Sequence, residues 1–168
     1  MIIHCTQKLL SELKPKVTDE TPDDPFWSWH GNLLRIERKK CVLLTNDVTL
    51  FSMFIPGLTK PDFQSFKFIF GQSLFKNLLH EKIPQVQIEA VLTHCEYLSY
   101  QKSNNRQVLG CMNDLKKQLE YIIGDSGGLE STDIWDLNSK LNLTILSPLG
   151  RKRPIQALKE KLQELSPV

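Results

Sequence analysis

The spacing of hydrophobic and polar positions changes several times along the chain, and each change marks an element. Met1–Cys5 is an apolar run of strand length, and Thr6 is placed to cap a brief helix from Gln7 to Leu13. "KPKVTDETPDDP" then collects prolines and acids and reads as an exposed loop. "NLLRIERKKCVLLTN" is two apolar runs around a charged tip, which predicts a β-hairpin turning at Glu37–Lys40. Asn46–Asp47 predicts a second turn, and "TLFSMFI" a third strand ended by Pro56–Gly57.

From Asp62 the period lengthens to that of a helix. Phe63, Phe66, Phe70, Leu74 and Leu78 form a stripe, with Ile69, Phe75 and Leu79 widening it, so this should be the most buried helix. Pro84 breaks it and opens a shorter helix through Leu92. "EYLSYQK" reads as a strand. A longer helix follows, with Val108, Leu109, Met112, Leu115, Leu119 and Ile122 on one face and Gly124 as its stop. Two further helices, Thr132 to Leu141 and one from Pro154, complete the chain. The hairpin makes the sheet at least partly antiparallel, so the fold class is α+β: about five short strands covered by helices. Residues 1–168 form one domain, with an α+β core over 1–124 and a helical extension over 125–168 packed on it.

Composition narrows the function classes only a little. The formal net charge of +2 does not mark a nucleic-acid binder. The four cysteines are scattered without a Cys-x-x-Cys pair, and the N-terminus lacks a basic leader followed by an apolar run. No apolar stretch approaches the roughly 18 residues that would span a bilayer. A cytoplasmic protein with reduced thiols, monomeric or homodimeric and with no membrane contact, is the expectation.

The candidate chemistry is concentrated in "SNNRQVLGCMNDL". Ser103, Asn104 or Asn105 suits a helix cap, because short polar side chains accept from the unpartnered N–H groups of a first turn. The same N–H groups and the helix dipole also suit an anion, with Arg106 as a planar, charged anchor. Arg106, Gly110, Asn113 and Lys117 share one face at helical spacing, and Gly110 suggests close approach of another backbone. "PFWSWHGN" is a second candidate, with Trp29 and His30 suited equally to a pocket and to closing one end of the core. Two basic clusters, Arg38, Lys39 and Lys40 at the hairpin tip and Arg151, Lys152 and Arg153 before the last helix, are the candidates for phosphate contact. The histidines and cysteines are not spaced as a metal site, so neither a metal nor another cofactor is expected.

Three blocks, "MIIHCTQKLLSEL", "WHGNLLRIERKKCVLLTNDVTLFSMFIPGL" and "NNRQVLGCMNDL", resemble a family of bacterial proteins known only as a domain of unknown function. The resemblance implies a single-domain bacterial protein and brings no assigned activity, so no functional residues carry over.

The reading that results is a small binding or regulatory module. Its ligand surface is built from Trp29, His30, Asn105, Arg106 and Asn113, with Arg106 holding an anionic small molecule or a protein partner. The alternative is an enzyme on a phosphorylated or nucleic-acid substrate, with His30 or Asp47 moving the proton and Arg106 stabilising charge. A third reading is DNA or RNA binding through the two basic clusters.

Overall fold

The computed structural model describes residues 1–165. Five strands form one mixed sheet in the order β4-β3-β2-β1-β5. They are β1 (Ile2–Cys5), β2 (Ser28–Ile36), β3 (Lys39–Asn46), β4 (Ser52–Leu58) and β5 (Ser99–Lys102). β2, β3 and β4 run as an antiparallel meander, whereas β1 lies parallel to both β2 and β5. Among the described residues the seven α-helices are α1 (Gln7–Leu13), α2 (Lys60–Gln64), α3 (Phe66–His80), α4 (Gln85–Cys95), α5 (Arg106–Asp125), α6 (Ile134–Asn142) and α7 (Pro154–Leu165). This is the α+β architecture that the period changes predict.

Alternation along the strands divides the side chains between two cores. Ile3, Cys5, Trp29, Leu33, Val42, Leu44 and Met53 point to one face, where residues of α1, α3, α4 and α7 cover them. Leu34, Ile36, Cys41, Leu43 and Phe54 point to the other, beneath α5 and α6. The last two helices therefore serve opposite faces, so the segment after residue 125 is divided between the two cores.

Several local expectations are corrected. The long helix is two, α2 and α3, broken at Ser65. Only the narrow stripe from Phe63 to Leu78 is buried, and Phe75 and Leu79 are exposed. β4 continues through Pro56 and Gly57 to Leu58. A proline is tolerated there because β4 is an edge strand, whose outer N–H groups need no strand partner. Gly110 meets nothing within 4 Å of where a Cβ would sit, so no backbone approaches it. At Gly31, by contrast, an added Cβ would lie 2.7 Å from Leu9 Cδ2, and α1 packs directly on β2.

The open edge of β4 is closed by side chains. Asn142 Oδ1 accepts from Ser52 N at 2.7 Å while its Nδ2 donates to Ser52 O at 2.9 Å. One turn earlier, Asn138 Oδ1 accepts from Phe54 N at 2.8 Å. Residues four apart on a helix rise about 6 Å, and residues two apart on a strand about 6.6 Å, so the two amides match the ladder spacing. Both asparagines are almost wholly buried.

Candidate functional site

The register of the sheet creates a row that no single segment of sequence reveals. Gln101, His4, His30, Thr45 and Ser52 stand side by side across all five strands. Thr45 and Ser52 share a hydrogen bond of 2.9 Å, and the rings of His4 and His30 stack with centroids 5.0 Å apart. On the same face the α5 core begins two residues from Thr45 at Leu43, two from Ser52 at Phe54 and four from His30 at Leu34, so the polar row lies at the end where α5 starts.

His30 is the hub of this row, and its ring is fully buried. Its Nδ1 lies 2.7 Å from Asp47 Oδ1, and its Nε2 faces the backbone N–H groups of Asn104 and Asn105 at 3.4 and 3.3 Å. A carboxylate accepts and a peptide N–H donates, so Nδ1 carries the proton and Nε2 is the acceptor. The imidazole thus ties the β3–β4 turn to the start of α5. The turn is held in its own right by buried Asn46, whose Oδ1 accepts from Val48 N, Thr49 N and Thr49 Oγ1. Its Nδ2 donates to Phe26 O at 2.7 Å.

The start of α5 is a cap. Asn105 Oδ1 accepts from Gln107 N at 3.0 Å and Val108 N at 3.2 Å. With Asn104 N and Asn105 N held by His30, only Arg106 N among the N–H groups of residues 104–108 has no partner among the described residues. Helix N–H groups are therefore mostly spent, and the charge available here is the Arg106 side chain. It is exposed and makes no ion pair or hydrogen bond among the described residues.

A cleft of about 660 Å³ opens over the end of this row. Arg106, Asn104 and Asn105 form one wall, Gln101 and His4 the floor, and Asp47, Ser28 and the 20–25 loop the other side. Glu20 brings a second carboxylate. Nothing in the sequence around His4 marks it beyond its being one of the four histidines, and its place in the cleft depends on the parallel β1–β2 pairing. Its Nδ1 is buried without a hydrogen-bond partner, and burial, reinforced by the neighbouring His30, lowers its pKa below the ordinary histidine value. The cleft lining thus brings together one guanidinium, the acidic residues Asp47 and Glu20, and an imidazole whose pKa is lowered by burial.

The other sequence candidates lie elsewhere. Trp29 faces the opposite side of the sheet, in the core, edge-on to Phe70. Asn113 is two turns down α5 from Arg106 and lines a separate cleft. Of the basic residues, Lys39 pairs with Glu130 at 2.9 Å, Lys40 with Glu12 at 2.8 Å, and Lys152 with Glu160. Arg38, Arg151 and Arg153 remain exposed at their loops. Among the described residues no group of three or more His, Cys, Asp and Glu side chains is placed to hold a metal ion, and no helix is long and apolar enough to cross a membrane.

A mixed sheet with helices on both faces and a polar cleft at one end places the chain in the α+β class. Over residues 2–157 it matches the family described as Domain of unknown function (DUF6933), and it belongs to that family. No curated protein and no solved structure matches it.

Proposed function

We propose that the protein is a binding or regulatory module whose cleft at the start of α5 takes a small ligand with an anionic group. Arg106 anchors that group. The observation that carries this reading is the pairing of an unpartnered guanidinium with the buried, unpartnered Nδ1 of His4 in one cleft. Asp47 and Glu20 stand in the same cleft and would repel a simple dianion. A ligand with a carboxylate at one end and an ammonium or hydroxyl donor at the other, such as an amino acid, meets both signs of charge.

The enzymatic alternative asks His30 or Asp47 to exchange a proton with the ligand. Both ring nitrogens of His30 are engaged and its ring is sealed from solvent, which favours binding over proton transfer. Nucleic-acid binding is disfavoured by the acidic partners of Lys39, Lys40 and Lys152. A bacterial, cytoplasmic setting fits the four cysteines, all buried and unbridged. Isothermal titration with amino acids, their deaminated acids and inorganic phosphate tests the proposal. A zwitterion that binds the parent and not Arg106→Ala supports it; equal binding of the amino acids to both proteins, or no amino acid binding at all, contradicts it.

A further inference from the structure

The surface strip that runs along α5 from Arg106 to Asn113 does not form one site. Seven residues of helix separate its ends by about 10 Å, and Asn113 faces a second cleft of about 620 Å³ between α1, β2 and α5. This cleft exists because β1 stops at Cys5. Beyond Gly31, β2 has a strand neighbour on the β3 side only, so the stretch from Asn32 to Arg35 is an open strand edge on the cleft floor.

The charge here is the reverse of that in the first cleft. Lys8 from α1, Arg35 from β2 and Lys116 from α5 converge on the opening. Lys8 and Arg35 have no ion pair among the described residues, and Lys116 has only an exposed contact of 3.7 Å to Glu120. The single carboxylate in the lining, Glu12, is neutralised by Lys40 at 2.8 Å. The polar groups are oriented to donate as well. Thr6 Oγ1 donates to Asn32 Oδ1 at 3.0 Å, which turns the Asn32 amide so that its Nδ2 is left over as a donor. The Asn113 amide has no partner among the described residues.

We infer that this second cleft binds a phosphate group of a small phosphorylated molecule. Three cations and a fixed amide donor, gathered from three elements around an open strand edge, match the charge and the several acceptor oxygens of a phosphate. A concave site of this size suits a compact phosphorylated molecule better than a nucleic-acid backbone, which tracks an extended positive surface. The site is independent of Arg106 and of the ligand proposed for the first cleft.

Calorimetric titration with pyrophosphate, and separately with a short single-stranded oligonucleotide, tests the inference. The variants are Lys8→Ala, Arg35→Ala, Asn113→Asp and Arg106→Ala, each confirmed as folded by circular dichroism. All four positions are exposed, so the fold tolerates the changes. Pyrophosphate is expected to bind the parent and Arg106→Ala alike, with affinity falling as salt rises. Lys8→Ala, Arg35→Ala and Asn113→Asp should each weaken it roughly tenfold, the loss of one charge-assisted contact. No pyrophosphate binding to the parent, unchanged affinity in Arg35→Ala, loss confined to Arg106→Ala, or tight binding of the oligonucleotide alone would overturn it.

Discussion

Asp47 Oδ1 sits 2.7 Å from Nδ1 of His30, and through that ring the β3–β4 turn is joined to the start of α5. The contact links residues 17 apart in sequence, and the ring's other nitrogen reaches 75 residues further to Asn105. Removing either partner leaves buried polar groups unpaired. Asp47→Ala should lower the unfolding free energy by about 1.5–3 kcal/mol, as for loss of a hydrogen bond to a charged group. His30→Leu should cost at least as much, since it also strips the acceptor from Asn104 N and Asn105 N. Urea unfolding of the two variants and their double mutant measures this, and a double mutant less destabilised than the sum of the singles marks the shared network.

The pH dependence follows from His4. Its folded-state pKa is lowered by burial and by His30 beside it, so the unfolded chain binds a proton first as pH falls. The stability that His4 contributes is fully present above the ordinary histidine value of about 6.5 and is lost as pH drops toward the lower folded value. Denaturant unfolding at a series of pH values from 8 to 5, on the parent and on His4→Gln, checks the sign. The parent should lose stability faster than the variant over the lower half of that range, whatever the variant's absolute stability.

The amide clamp on β4 makes a different prediction. Asn142→Ala leaves Ser52 N and O facing a buried void, which should cost about 2–4 kcal/mol. It also bares the edge strand, so the variant should self-associate as concentration rises. Light scattering alongside urea unfolding reads both effects; a variant as stable and as monodisperse as the parent would show that the clamp is dispensable.

Two glycines should respond in opposite directions. Gly31→Ala forces a methyl to within 2.7 Å of Leu9 and 3.2 Å of Ile3, both fully buried, and should destabilise by about 1–3 kcal/mol. Gly110→Ala fills open space in the middle of α5 and should stabilise by about 1 kcal/mol. Thermal midpoints of the two variants give the comparison directly.

The elements were legible in the sequence wherever periodicity and turn chemistry agreed. The hairpin and the Asn46–Asp47 turn are local, and local signals found them; the cap of α5 was narrowed to Ser103, Asn104 or Asn105, and the structure assigns it to Asn105. What the sequence hides is register. The row from Gln101 to Ser52 exists only because β1 inserts parallel between β2 and β5, so His4 in the cleft had no local signature. Asn138 and Asn142 are similar: polar residues on a helix read as solvated surface until a strand edge is placed beside them. Trp29 and His30 are adjacent in sequence, yet strand alternation sends them to opposite faces. Arg106 and Asn113 share a helical face but open on different clefts, because the end of β1 divides the surface between them.

In the proposed function Arg106 serves a ligand and not the fold. The most direct measurement is the thermal midpoint of Arg106→Ala against the parent, with and without zwitterionic ligands. An exposed side chain with no intramolecular partner should leave the midpoint unchanged to within about two degrees. A ligand that raises the parent's midpoint should then fail to raise that of the variant. A variant that melts several degrees lower, with no ligand shift in the parent, would contradict the account and make Arg106 part of the architecture.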